Sequence, residues 1–187
     1  MTFSSIAEAW NTAFAPGFPA GFLCRKSLHK RWLRIHSLPE SKRYPETPAD
    51  RKELLIRHNS VANYTLEPSS DCILFIARFG ESKEWAAAEN LPLGLRKPQH
   101  VMSFDDVGEQ PMQFFALPIV WKSQAFDELI LAAAEEKTGP ILFANLATAT
   151  AYAPYDGGAD LFFPSANAVG IARDHFLEWL SKRADGL

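Results

Sequence analysis

The stretch APYDGGADLFF, residues 153–163, carries the strongest fold signal of the chain. Asp156, Gly157 and Gly158 are typical of a tight turn, because aspartate and glycine tolerate positive φ angles better than most residues. Apolar residues on both sides predict two antiparallel strands joined by this turn. Asp160 then stands inside the second strand, where a carboxylate needs water, a partner cation or a functional cleft.

Further strands can be read outward from this turn. Short β segments over Ile141–Asn145, Thr148–Ala153 and Ala159–Phe163 are linked closely enough to predict an antiparallel three-strand meander. The apolar run Cys72–Phe79 predicts a central strand covered on both faces. Met112–Trp121 predicts another strand, and its proline predicts an edge position or a bulge.

Helical periodicity and capping residues indicate the remaining elements. Strands and helices alternate in the first half and strands cluster in the second, which favours one α+β domain over residues 1–187. We expect a mixed, mostly antiparallel sheet with helices packed mainly on one face. The predicted elements are a helix from Ser5 to Phe14, a loop that contains Phe18 and Phe22, a strand over Trp32–Leu38, a helix capped by Thr47, a helix from Ser123 to before Gly139, and a helix capped by Ser165.

The segment between the central strands has a weaker pattern. Trp85–Glu89 predicts a short helix, since alanines dominate it. Leu91–Pro111 contains several prolines and glycines and predicts a long, exposed surface excursion.

Composition excludes several classes of protein. The 187 residues include 47% apolar side chains and carry a formal net charge of −3, which argues against a nucleic-acid partner. No apolar run is long enough for a membrane span, and the N-terminus lacks the pattern of a secretion signal. The two cysteines, Cys24 and Cys72, are too far apart in sequence for a redox or zinc motif. We therefore expect a soluble cytoplasmic protein.

A basic cluster over residues 34–44 is the first candidate site. Arg34 and His36 lie on the same face of their strand because strand side chains alternate, and Lys42, Arg43 and Tyr44 follow after a break. An arginine fork beside a titratable imidazole is suited to a carboxylate or phosphate. The alternative, which we favour, is a solvated strand face in which Arg34 pairs with a nearby acid.

Tyr155, Asp156 and Asp160 form the second candidate cluster. Two carboxylates four residues apart suit metal binding or acid–base chemistry, but no third ligand or histidine motif accompanies them. A structural role in the turn is therefore favoured. If both clusters belong to one site, Arg34 or His36 reaches Asp160 across the sheet. Phosphate-binding, dinucleotide-binding and zinc motifs are absent, so the sequence predicts no metal and no cofactor.

Two blocks of the chain resemble an uncharacterised bacterial protein family. Its members carry tyrosine and aspartate before a glycine-containing turn and a second aspartate, as in residues 155–160, followed by a terminal helix. Residues 32–44 also resemble a recurring block of such proteins. The resemblance implies a bacterial origin. Where related domains carry arginine in the turn, this chain has Gly157 or Gly158, so a role for that arginine does not transfer.

Two main hypotheses for function follow from these observations. The first is a binding module that recognises a protein partner, such as an immunity-type inhibitor of a toxin, with self-association as a homodimer a further alternative. The second is a hydrolase or transferase acting on a small molecule that bears a carboxylate or phosphate. Its candidate catalytic residues are His36, Asp156 and Asp160, and its candidate ligand-binding residues are Arg34, Arg43 and Tyr155. The sequence leaves open whether the protein is an enzyme.

Overall fold

The computed structural model describes residues 3–85, 97–106 and 110–181. The strands in these ranges are β1 (Trp32–His36), β2 (Asp71–Phe79), β3 (Gln99–Phe104), β4 (Met112–Val120), β5 (Ile141–Asn145), β6 (Thr150–Tyr155) and β7 (Gly158–Phe162). They form one sheet in the order β1-β7-β6-β5-β2-β4-β3, and each neighbouring pair is antiparallel. The α+β class is confirmed.

Helices cover both faces of this sheet. They are α1 (Phe3–Phe14), α2 (Gly21–Ser27), α3 (Pro48–Leu66), α4 (Asp127–Ala134) and α5 (Ala166–His175). The residues of α3, α4 and α5 share one buried cluster with one face of the sheet, while α1 and α2 pack against the other face. No helix in the described ranges is both long and apolar enough to cross a membrane.

The alternation of side chains along β2 explains the two-sided core. Leu74 and Ile76 join the cluster under α3 and α4, whereas Ile73 and Phe75 contact the cluster that contains Trp10 of α1. Because successive strand residues point to opposite faces, a continuous apolar run is what a strand buried on both sides requires. The prediction of a central strand over Cys72–Phe79 is confirmed.

The turn between β6 and β7 fixes the register of the meander. Tyr155 pairs with Gly158, so the loop consists of Asp156 and Gly157, and Gly157 has a φ of +82°. A Cβ atom at Gly158 would lie 2.4 Å from the carbonyl oxygen of Ile35 and 2.7 Å from Oη of Tyr155. Glycine is required here because β1 and the tyrosine ring both approach the backbone closely. The predicted meander is confirmed.

Local side-chain chemistry begins two of the helices where the sequence predicted. The Thr47 hydroxyl accepts a hydrogen bond from the backbone N–H of Asp50, and the Asp50 carboxylate accepts one from the N–H of Thr47. This reciprocal arrangement is a capping box. The Ser165 hydroxyl accepts from the N–H of Ala168 at the start of α5.

Three expectations are wrong or need correction. The region predicted as an exposed excursion, Leu91–Pro111, contains the edge strand β3, whose sequence QHVMSF does not alternate and whose pairing is irregular between His100 and Met102. β4 lies between β2 and β3 rather than at an edge, although β3 pairs only with Met112–Ala116 and so ends before Pro118. Helix α2 occupies a segment expected to be a loop. The predicted helix over Trp85–Glu89 falls, after its first residue, outside the described residues.

A hydrogen-bonded histidine lies inside the core between α3 and the sheet. His58 is fully buried, with Ser37 Oγ 2.7 Å from its Nε2 and Tyr152 Oη 2.7 Å from its Nδ1. Burial, together with the charge of neighbouring Arg57, lowers the pKa of His58 to about 3. The neutral imidazole can donate through one nitrogen and accept through the other, so both ring nitrogens are satisfied without a charge in the core.

We predict that His58 makes the protein less stable in mild acid. Because its pKa is lower in the folded state, the unfolded chain binds a proton that the folded protein excludes between about pH 6.5 and pH 3. His58 alone therefore removes about 1.4 kcal/mol from the free energy of unfolding for each unit by which the pH falls in that window. Urea unfolding of the wild type and of His58→Gln at pH 7.5 and 5.5 measures the difference in slope.

His29→Gln serves as the matched control, since His29 is exposed. The control should keep the wild-type pH dependence, while His58→Gln should be less stable at pH 7.5 and should lose part of the slope. An unchanged slope in His58→Gln would show that the buried imidazole is not what couples folding to protons.

Candidate functional site

The antiparallel pairing of β1 with β7 places Arg34 directly opposite Asp160. Nε of Arg34 lies 3.2 Å from Oδ1 of Asp160, and the same oxygen accepts a hydrogen bond of 2.8 Å from Nε1 of Trp32. Only 14% of the Arg34 side chain and 3% of the Asp160 side chain are exposed. The two clusters predicted from the sequence therefore meet across neighbouring strands in a buried ion pair.

Aromatic rings hold the guanidinium of Arg34 in place. Its Cζ lies 5.4 Å from the centroid of the Trp32 ring and 5.0 Å from that of Tyr155. These are cation–π distances, and such contacts are stronger in partly buried surroundings. Burial is the main cause of the raised pKa of Tyr155, and the Asp160 charge adds to it, so the phenol keeps its proton at neutral pH.

The environment of Asp160 opposes its ionisation overall. Burial raises the pKa of this carboxyl above its ordinary value, although Arg34, the Trp32 N–H and Arg25 all act to lower it. Removal of any of these partners should therefore make ionisation of the carboxyl less favourable, because each one offsets part of the cost of burying its charge.

A cavity of about 430 Å³ opens beside this ion pair, between α2 and one end of the sheet. Its size lies within the range of small-molecule sites. Polar groups in its walls come from Arg25, Arg34, Glu136, Thr138, Tyr155, Asp156 and Asp160, and apolar surface comes from residues that include Phe22, Phe79, Pro140, Ile141 and Pro154. The combination of apolar walls with a few convergent charged groups is what a binding site requires.

Arg25, on α2, contributes a second cation to the cavity wall. Its Cζ lies 5.6 Å from the centroid of the Trp32 ring. Within the described part of the chain, its guanidinium has no hydrogen-bond or ion-pair partner. The helix can come this close because of Gly21, where a Cβ atom would lie 3.2 Å from Oδ2 of Asp160 and 3.1 Å from Cβ of Ala153.

Acidic groups occupy another part of the cavity wall. Asp156 forms an ion pair with Nε of Arg43, which lies outside the cavity wall. Glu136 accepts a 2.9 Å hydrogen bond from Oη of Tyr44, and its Oε1 lies 3.8 Å from Nη2 of Arg43. The candidates Arg43 and Tyr44 of the basic cluster therefore support the acidic side of the cavity rather than its cationic side.

The structure brings most of the predicted candidates together. Arg34, Tyr155, Asp156 and Asp160 all line the cavity, but His36 is not among its described lining residues. The His36 ring lies 3.4 Å from Oγ of Ser41, and its pKa is lowered by burial and by the charges of Arg34 and Arg57. The face of β1 that bears Arg34 is covered by α2, so the interpretation of this face as solvated is wrong. The expectation that Arg34 pairs with a nearby acid is correct, since its partner is Asp160.

Two residues of the cavity were not predicted from the sequence. Arg25 was not predicted because its segment was expected to be a loop, and Glu136 was not predicted because it belongs to no recognisable motif. The sequence signal for α2 is the helical spacing of Ala20, Leu23, Cys24 and Leu28, and all four side chains are buried.

The described residues contain no group of three or more histidine, cysteine, aspartate or glutamate side chains placed to hold a metal ion.

The geometry defines an α+β domain with an arginine-lined cavity at one end of its sheet. Residues 21–184 match a family model described as Domain of unknown function (DUF3885), so the chain belongs to this family. No curated protein and no solved structure matches the chain. The expectation of an uncharacterised family is confirmed.

We predict that Arg34→Met destabilises the protein by about 3 kcal/mol at pH 7.5, because it leaves the Asp160 charge buried without its cation. The deficit relative to wild type should shrink at pH 5, since loss of the cation raises the pKa of Asp160 further and a protonated carboxyl needs no partner. Chemical unfolding at both pH values measures this difference.

Arg43→Met is the matched control, because it removes an exposed arginine from the other aspartate of the same hairpin. Its effect should be far smaller and should not depend on pH in this way. Equal losses for the two variants would contradict the role of Arg34–Asp160 as the buried pair that organises this end of the sheet.

Proposed function

We propose that this protein is a binding module whose cavity holds a small ligand bearing a carboxylate or phosphate group. The observation that carries the proposal is Arg25, a cation in a partly apolar cavity that contacts the Trp32 ring but has no hydrogen-bond or ion-pair partner among the described residues. A guanidinium offers several donors in a fixed planar arrangement that matches the oxygens of carboxylates and phosphates.

The ion pair beside Arg25 supports this assignment. Asp160 engages Nε of Arg34, and within the described residues the terminal Nη groups of Arg34 have no hydrogen-bond partner. Arg34 lines the same cavity as Arg25, so two guanidinium groups can donate to one ligand. Trp32 and Tyr155 fix the position of Arg34 in advance, which lowers the entropic cost of binding.

The apolar walls indicate the rest of the ligand. Phe22 and Phe79 line the cavity, and Phe79 is 57% exposed, which is high for so large an apolar side chain. A ligand with an aromatic or aliphatic body would cover this surface. We therefore expect phenyl-substituted anions to bind better than acetate or inorganic phosphate.

We predict that 3-phenylpropanoate and phenyl phosphate bind to the wild-type protein and that Arg25→Gln weakens the binding about tenfold or more. This factor follows from the loss of a hydrogen bond between charged groups. Isothermal titration calorimetry on the full chain measures both affinities. Arg25→Lys should retain part of the binding, because it keeps the charge and loses the fork.

Lys26→Gln is the control, since Lys26 is the next residue of α2 and is exposed. It removes the same charge from the same helix and should leave the affinity unchanged. The proposal fails if neither anion binds saturably, or if Lys26→Gln and Arg25→Gln weaken binding equally.

A hydrolase or transferase is the second candidate function, and the raised pKa of Asp160 favours it. A carboxylate whose pKa is raised by burial, beside a cavity, is a stronger general base than an ordinary aspartate. Asp160→Asn keeps the hydrogen-bond acceptor but cannot transfer a proton. Conversion of phenyl phosphate or of phenyl esters by the wild type, lost in Asp160→Asn while anion binding persists, would favour this candidate over simple binding.

The bacterial origin, the cytoplasmic location and the recognition of a protein partner, including the immunity-type role, stay predictions. Self-association is a further prediction that solution mass measurement tests directly. A monomer has a mass of 20.9 kDa, and a homodimer has twice that mass.

A further inference from the structure

Some charged groups around the cavity form ion pairs with one another, and two others are less fully paired. Arg34 pairs with Asp160, and Asp156 pairs with Arg43. Among the described lining residues, Arg25 has no ion-pair partner, and Glu136 has only a 3.8 Å contact with Arg43, which it shares with Asp156. The cavity therefore offers a ligand one positive group, Arg25, and one negative group, Glu136.

The carboxylate of Glu136 contacts one neutral donor and one cation that it shares with another carboxylate. Its hydrogen-bond donor, Tyr44, is a neutral phenol whose pKa is raised by this contact. The guanidinium of Arg43 lies 3.8 Å away and already binds Asp156. An additional cation at this wall would therefore meet an incompletely compensated carboxylate.

The end of α4 adds to the negative character of this wall. Ala133, in the last turn of α4, lines the cavity, and Glu136 lies two residues after the end of the helix at Ala134. The aligned peptide dipoles of a helix leave a partial negative charge at its C-terminal end, although in α4 the carbonyls of Leu131, Ala132 and Ala133 accept hydrogen bonds from the residues that follow. Both features favour a positively charged ligand group on this side, away from the arginines of α2 and β1.

We infer that the cavity binds a zwitterion, with its carboxylate held by Arg25 and Arg34 and its ammonium group held by Glu136. This inference rests on the proposed function and narrows its ligand class to amino acids or short peptides with an apolar side chain, which would contact Phe22 and Phe79. A dianionic phosphate fits less well, because it would place an excess negative charge near Glu136 and Asp156.

Four probes of related shape separate the contributions of the charges. L-phenylalanine carries both groups, 3-phenylpropanoate only the carboxylate, and phenethylamine only the ammonium group. The dipeptide glycyl-phenylalanine carries both groups at a greater separation. Calorimetric titration of the full-length protein with each probe should show that the zwitterions bind about tenfold more tightly than 3-phenylpropanoate. Phenethylamine should bind weakly.

Variants assign the preference to Glu136. Glu136→Gln should reduce the ratio of zwitterion to 3-phenylpropanoate affinities about tenfold, because it removes the charge that faces the ammonium group. Glu128→Gln is the control, since Glu128 lies exposed on α4 and should leave that ratio unchanged. If L-phenylalanine binds more tightly than glycyl-phenylalanine, the ligand class is free amino acids, and the reverse order indicates short peptides.

The outcomes distinguish this inference from the proposal on which it rests. If 3-phenylpropanoate binds in an Arg25-dependent way but as tightly as both zwitterions, the zwitterion inference is wrong and the anion-binding function stands. If no probe binds, both are wrong. A zwitterion preference that survives Glu136→Gln would also overturn the inference, because the ammonium group would then be bound elsewhere.

Discussion

The ion pair between Arg34 and Asp160 is the interaction on which this end of the structure depends. A carboxylate inside a strand is costly unless a cation and hydrogen-bond donors accompany it, and Asp160 obtains both from β1. The pair in turn fixes Trp32 and Tyr155 on either side of the guanidinium. The hairpin of β6 and β7, the edge strand β1 and helix α2 are thereby joined around one buried charge.

The same constraint shapes the electrostatics of the cavity. Because Arg34 is largely committed to Asp160, the cationic character of the cavity depends on Arg25, and because Arg43 is committed to Asp156, the acidic character depends on Glu136. Gly21 and Gly158 matter for a related reason, since both allow backbone to approach the buried groups without a side chain between them. The site is thus a consequence of how the fold neutralises its own buried charges.

Local signals predicted much of the fold but only part of the site. Alternation and turn chemistry are properties of adjacent residues, so the meander, the capping box at Thr47 and the buried run of β2 could be read directly. The pairing of β1 with β7 joins residues more than 120 positions apart, and the sequence could offer it only as a possibility between Arg34 and Asp160. β3 was not predicted because its sequence does not alternate, and Arg25 was not predicted because α2 is too short to show a clear helical period. His36 is the last residue of β1 and does not line the cavity. Strand periodicity predicts which face a side chain is on but not where along the strand the cavity ends.

The most direct test of the central claim is an NMR titration that follows the arginine Nε–H resonances as 3-phenylpropanoate is added. If the buried pair leaves Arg25 to bind the anion, the Arg25 resonance shifts and reaches saturation, while that of Arg34 stays protected from exchange with water because Asp160 accepts its proton. In Arg25→Gln the same titration should reach saturation only at about tenfold higher ligand concentration or above. Uniform, unsaturated shifts of all arginines, or rapid exchange of the Arg34 proton with water, would contradict the claim that a buried ion pair leaves Arg25 to bind an anion.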